Sequence, residues 1–236
     1  MDRPATRTDE MAPTARAMAD VLPLGLLEVR LHIDVSHEAE LNHWYDCEHV
    51  AELLSVAGVL SATRYVEEGS TVKMHRAFYE LAHERVVCGP AFERLLANRT
   101  PWSSRMYALY DNAHRIRNTY RLLDSRNAFG TFRAPWLYCF KCDVPAELER
   151  DFNRFYDDEL FDALGGVKGC LGARRFVAVD GQQKYMALFG LESPDVMNSD
   201  AWVAASNGAG RSAIPNQLLN VEKGCFRMIR PIATKQ

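Results

Sequence analysis

Apolar and polar residues alternate through LLEVRLHIDV at 26–35, with Val29, Leu31 and Ile33 on one side and Glu28, Arg30 and His32 on the other. That is the period of a half-buried β-strand. Downstream the period lengthens. Over 37–54 the apolar positions recur every three to four residues, which predicts an amphipathic helix with Leu41, Tyr45, His49 and Leu53 on one arc. Gly58 ends that helix and opens a second alternating run, GVLSATRYV. A turn at Gly69 leads to KMHRAFYEL, a hairpin partner on which His75, Ala77 and Tyr79 share a face. A second helix at about 84–98, a loop and a last strand around TYRLL complete the order β-α-β-β-α-β.

The pattern occurs twice. Residues 41–65, LNHWYDCEHVAELLSVAGVLSATRY, align without a gap at an offset of 111 with residues 152–176, FNRFYDDELFDALGGVKGCLGARRF. Ten of these 25 positions are identical, among them Asn42/Asn153, Tyr45/Tyr156, Asp46/Asp157, Glu48/Glu159, Gly58/Gly169 and Arg64/Arg175. The match extends with small shifts: 75–92 over 185–202, LHIDV over FKCDV, and NTYRLL over GCFRMI. The reading is an N-terminal tail (1–22), a first unit (23–124), a linker (125–132) and a second unit (133–236). The fold class is α+β, two tandem ferredoxin-like βαββαβ units with antiparallel sheets.

Composition then narrows the partners. The 236 residues are 47% hydrophobic and 25% charged, enough for a core without metal or disulfide staples. A net charge of −3 gives no electrostatic footprint for nucleic acid. Apolar stretches such as Val56 to Leu60 are strand-length, so no membrane span is expected, and residues 1–21 lack the apolar run of a secretory signal. Six cysteines without scaffold spacing fit a reducing, cytoplasmic setting. Cys139 and Cys142 lie in one strand at a spacing that puts their sulfurs on opposite faces, which argues against a zinc site.

The element order, the repeat and the segment WYDCEHVAELLSVAGVLSATRY resemble the dimeric α/β barrel superfamily, and its EthD-like branch in particular. The Tyr-x-x-Glu-His helix, the Val-x-Gly-Val turn, the Ala-x-Arg-Tyr strand and the Tyr-Glu-Leu strand end carry the likeness, which covers both halves. It implies that the two sheets pair into a barrel, here within one chain, and that a site sits in a cleft between helices and sheet. It also implies cofactor-independent chemistry of a lyase, isomerase, cyclase or oxygenase type, by proton transfer on a small aromatic or carbonyl-bearing catabolic metabolite. The alternative is a non-catalytic small-molecule binding protein. A homodimer of the pseudo-dimeric chain is compatible with either. Haem binding, a feature of related branches, would need His49, His75 or His83 as an axial ligand.

Within such a cleft the sequence points to His49, because the second copy places Leu160 at that position. An imidazole there is a candidate general base titrating near neutrality. Tyr45 lies one turn away and persists as Tyr156, so it reads as a core aromatic or a pocket wall. Glu48 and Arg64 persist as Glu159 and Arg175, which suggests a structural ion pair, with oxyanion binding by Arg64 as the alternative. His75 and Tyr79 complete the candidate set, and the face His75 occupies is open at this stage. His32 is expected to be exposed or at the interface between sheets. Gly166, Gly169 and Gly172 read as turn residues, since copy 1 has Ser55, Gly58 and Ser61 there. The long connection 100–118 reads as a lid or an extra packed helix, and Ser206–Gly210 as a loop over one cleft.

Overall fold

The computed structural model describes residues 22–67, 74–110, 115–208 and 217–234. The tail expected at 1–21, the Gly69 turn, His114 and the tip of the 206–210 loop lie outside the described residues. Strand β1 is Gly25–His32, and helix α1 follows as three continuous segments, Glu38–Trp44, Tyr45–His49 and Val50–Ser55. Then come β2 (Val59–Glu67), β3 (Met74–Leu81), α2 (Pro90–Ala97), α3 (Pro101–Leu109) and β4 (Ile116–Arg126). A short helix α4 (Ala128–Thr131) leads to β5 (Trp136–Asp143) and α5, built as Glu149–Phe155, Tyr156–Leu160 and Phe161–Gly165. The chain ends with β6 (Cys170–Asp180), β7 (Tyr185–Leu191), α6 (Asp200–Ser206) and β8 (Leu219–Thr234).

The strands close an antiparallel barrel in the order β1-β3-β2-β8-β5-β7-β6-β4. Each half supplies four neighbouring strands in the ferredoxin-like order, β4-β1-β3-β2 and β8-β5-β7-β6. The halves join where β2 pairs with β8 and β4 with β6. This is the intramolecular barrel that the sequence and its resemblance imply. Gly58 and Gly169 both sit at φ +90, where an L side chain is strained, and a Cβ there would also strike Val86 or Val196. One detail differs from the sequence alignment. Gly25 faces Leu81 as Trp136 faces Leu191, so Leu31 corresponds to Cys142 rather than to Phe140. The offset of 111 therefore runs unbroken from the strand through the turn Val35–His37, matched by Ala146–Leu148, into the helix.

Alternation sorts the sheet into two faces and three cores. One core lies between the sheet and the N-terminal helices, a second between the sheet and the C-terminal helices, and a third fills the barrel around Tyr65, Phe78, Tyr120, Phe176 and Phe226. Cys139 falls in the barrel and Cys142 under the helices, on opposite faces as expected. His32, half-buried, shares the barrel face with Glu28 and Arg30.

The barrel interior also holds charge. The Glu28 carboxylate, wholly buried, accepts from Arg76 at 2.6 Å, Lys141 at 2.9 Å, and Asn118 and the Tyr120 hydroxyl at 3.2 Å. Burial would push Glu28 upward, but Lys141 and Arg76 outweigh it and hold the carboxyl below its ordinary range.

The segment expected to be a linker is a structural part of the barrel. Strand β4 runs on to Arg126, and the chain then turns through a left-handed Asn127. Phe132 enters the barrel core beside Phe78, and the Ala128 carbonyl accepts from Arg174 at 2.7 Å. Gly172 and Gly190 are required because a Cβ at either would come within 3 Å of this segment's backbone.

Candidate functional site

Helix α1 lies on the outer face of the sheet and presents Leu41, Trp44, Tyr45, His49 and Leu53, all buried. Its middle segment is wider than an α-helix: the Val50 N–H donates to the Tyr45 carbonyl, five residues back, and Phe161 does the same with Tyr156 in α5. A wider turn winds less per residue, which takes back the drift that a strict four-residue spacing accumulates in an α-helix. The stripe therefore stays over the sheet, and His49 points inward.

A cavity of about 120 Å³ opens there, walled by Leu27 and Val29 of β1, Tyr45, His49 and Leu53 of α1, Tyr79 of β3, and Phe92 and Leu96 of α2. Tyr107, Tyr110 and three arginines, Arg99, Arg115 and Arg117, complete it. The C-terminal half holds a matching cavity of about 160 Å³, in which Leu160 stands for His49 and Phe189 for Tyr79. Lys223 is its one charged lining residue among those described. A broader depression of about 840 Å³ lies between the β6–β7 turn and Asn220 to Glu222. Its polar groups bind one another, with Asp143 accepting from the Lys184 N–H and the Asn220 amide.

His49 is 8% exposed and stacks on Trp44 at 4.1 Å between centroids, with Tyr45, Tyr79 and Tyr107 edge-on around it. Among the described residues neither ring nitrogen makes a hydrogen bond. The Glu52 carboxylate stands 3.8 Å from Nδ1, beyond hydrogen-bond reach. Burial, reinforced by the charges of Arg64, Arg115 and Arg99, lowers its pKa to about 3. The expectation of a group titrating near neutrality is thereby corrected: the imidazole is neutral across the physiological range.

This has a thermodynamic signature. Between pH 6.5 and pH 3 the unfolded chain binds a proton at this histidine that the folded chain rejects, so stability falls as pH falls through that window. The cost reaches about 2 kcal/mol at pH 5. Denaturant titrations should find His49→Leu more stable relative to wild type at pH 5 than at pH 8 by about that amount, and an equal gap at both pH values would refute the depressed pKa.

The tyrosines act as donors. Burial raises the pKa of Tyr45, Tyr79, Tyr107 and Tyr110, so each keeps its proton. The Tyr79 hydroxyl is buried, with the Tyr45 phenol beside it but no well-formed hydrogen bond among the described residues. An orphaned buried hydroxyl costs about 1–3 kcal/mol unless water or a ligand satisfies it.

Arg64 is placed differently from the sequence reading. Its guanidinium covers the Tyr45 ring at 3.9 Å, donates to Asn42 at 2.8 Å and lies 3.9 Å from Asp46. Arg175 repeats this with Tyr156, Asn153 and Asp157. The acid beside Arg64 is Asp46 rather than Glu48, and Asp46 itself accepts from Arg230 at 2.9 Å. Glu48 faces α3 instead, accepting from Thr100 at 2.6 Å, Ser103 at 2.9 Å and the Trp44 indole at 3.1 Å.

His75 faces the helices, yet it lies outside the cavity, with Nε2 3.6 Å from Glu38 at the start of α1. Residues 101–109 of the 100–118 connection form α3, an extra packed helix. It packs through buried Ser103 and Met106, and Tyr107 and Tyr110 wall the cavity. Tyr110 and the three arginines were not singled out by sequence reasoning. A signal existed for two of them, because the TYRLL/CFRMI match places Arg115 and Arg117 over Val221 and Lys223.

Among the described residues no group of three His, Cys, Asp or Glu side chains could hold a metal ion. A haem does not fit either. The cavity at His49 is near the size that admits one benzene ring, His75 is enclosed against Glu38, and His83 is a surface residue engaged with Glu84.

No family model and no curated protein matches the sequence. Solved structures do. A proposed monooxygenase from Fusobacterium nucleatum superposes with a TM-score of 0.63 at 8% identity, over 90% of this chain and 95% of that one. An anthrone oxidase-like protein gives 0.57 at 12% identity, over 92% and 95%. A proposed monooxygenase from Lactobacillus acidophilus gives 0.55 at 7% identity, over 90% and 97%. Likeness at such identities concerns architecture, and among the described residues no helix is long and apolar enough to cross a membrane. The chain has the ferredoxin-like dimeric α+β barrel fold, closed within a single polypeptide.

Proposed function

We propose that the N-terminal cleft binds a small, single-ring aromatic or carbonyl-bearing compound and moves a proton on it, as a cofactor-independent isomerase or lyase does. One observation carries the reading: His49, a neutral acceptor, and the buried Tyr79 hydroxyl, neither with a well-formed hydrogen bond among the described residues, line the same apolar cavity with ring centroids 6.5 Å apart. His49 takes the proton from a carbon next to a carbonyl, or from a phenol. The bond electrons move onto the substrate oxygen, which the Tyr79 hydroxyl holds by a hydrogen bond. Return of the proton to the same carbon gives exchange, and return to another gives an isomer. In the reaction class named by the proposed monooxygenases of this fold, the same anion would go on to meet oxygen.

The low pKa of His49 favours a second reading, a carrier in which the imidazole only accepts a hydrogen bond. Deuterium incorporation into the methyl group of acetophenone, followed by proton NMR in D2O, separates the two. The enzyme reading expects acceleration by the wild type and a marked loss in Tyr79→Phe. Binding of para-fluorophenol without any exchange would leave the carrier, and absence of both would overturn the cleft as a site.

A further inference from the structure

Each of the four most buried arginines in this fold is matched by an acid: Arg64 by Asp46, Arg76 by Glu28, Arg174 by Glu80 and Arg175 by Asp157. The cleft arginines are not. Among the described residues no carboxylate pairs with Arg99, Arg115 or Arg117, although all three line one cavity. Arg99 and Arg115 both lie against the Tyr107 ring, at 4.1 and 5.4 Å, and Arg117 lies 5.8 Å from Phe92. The Nε of Arg115 is buried with no hydrogen-bond partner among the described residues. The carboxylate nearest the cavity, Glu52, is turned to His49 and Ser103.

Like charges gathered without counter-ions beside an apolar cavity are costly in the free protein and become favourable when an anion arrives. The sister half provides the contrast: Val221 and Lys223 occupy the positions of Arg115 and Arg117. We infer that Arg99, Arg115 and Arg117 form a carboxylate-binding rim on the His49 cleft, so that its ligand is a single-ring aromatic acid whose ring enters the cavity and whose carboxylate meets the guanidiniums. The inference rests on the cleft being a binding site and adds the charge of what it binds. The apolar walls of the cavity take the ring, and the arginines are the cations of its lining that an anionic group can meet.

The test compares para-fluorobenzoate with para-fluorobenzamide by fluorine NMR titration. The acid is expected to bind at least about tenfold more tightly, as charge-assisted hydrogen bonds do relative to neutral ones. In Arg115→Met/Arg117→Met the ratio of acid to amide affinity should fall to about one. Should that variant fail to fold, wild type still decides: the affinity for the acid must fall with added salt and that for the amide must not. Inorganic phosphate distinguishes a general anion site, because it would then displace the acid at concentrations matching its own affinity, which contradicts an aromatic-acid site. Equal binding of acid and amide overturns the rim and leaves the cleft standing. Failure of both probes together with para-fluorophenol overturns the cleft itself and the rim with it.

Discussion

His49→Leu should lose acetophenone exchange by about 10²–10⁴-fold, the usual contribution of a positioned acid–base group, while folding as well as wild type or better. Leucine is what the second half carries at this place, as Leu160, buried in an equivalent stripe. The substitution therefore imports a side chain the fold already accommodates, and it removes a buried polar group that makes no hydrogen bond among the described residues. Loss of exchange can then be assigned to the imidazole rather than to collapse of the site. A base with a pKa of about 3 is weak alone. It becomes effective as the substrate develops negative charge, since that charge offsets the repulsion that Arg99 and Arg115 exert on an imidazolium. Retained exchange in His49→Leu would move the proton-transfer role elsewhere.

The second large effect lies in the barrel. Glu28→Gln should cost about 3–5 kcal/mol, because Lys141 then remains buried with its charge uncompensated and Arg76 keeps Glu222 alone as its acid. Against a typical total of about 5–15 kcal/mol, that is enough to bring the fold near its limit. Adding Lys141→Met should recover part of the loss, and urea titrations of the two single variants and the double variant measure the coupling. Simple additivity would show that the pair does not act as a unit. Glu222, which pairs with Arg30 and Arg76, has its pKa lowered to about 2 by these arginines despite burial. A depressed carboxylate pKa means that stability is complete above the ordinary value of 4.5 and is lost as pH falls from there toward 2. This loss begins at about pH 4.5, inside the lower part of the His49 window, so the interval from pH 6.5 to 4.5 reports on His49 and lower pH on both groups.

The strand order was legible because the repeat preserves whatever each half needs. Asn42, Tyr45, Asp46 and Arg64 recur as Asn153, Tyr156, Asp157 and Arg175, and in each half the four side chains form one cluster. The sequence could not tell which acid meets the arginine. Asn42 and Asp46 are one turn apart and face β2, while Glu48, two residues on, turns to the other side of α1 and meets α3. His49 was found by its difference from Leu160, a contrast between halves that needs no structure. Its depressed pKa was beyond reach, since it arises where charges from β2, the end of α2 and the start of β4 converge on a desolvated ring. The charged rim was missed for a related reason. Arg99, Arg115 and Arg117 come together only when α3 folds back over the cavity. How closely the 125–132 segment packs was not legible, because the glycines that let it press onto the sheet, Gly172 and Gly190, lie elsewhere in the chain.

A working N-terminal site requires that a small aromatic enter the His49 cleft. A crystal structure of the protein soaked with para-fluorophenol decides this directly. The predicted result is density in the N-terminal cavity, with the phenol oxygen within hydrogen-bond distance of His49 or Tyr79. Density only beside Leu160 and Trp202 in the C-terminal half, with the His49 cavity empty, would contradict it.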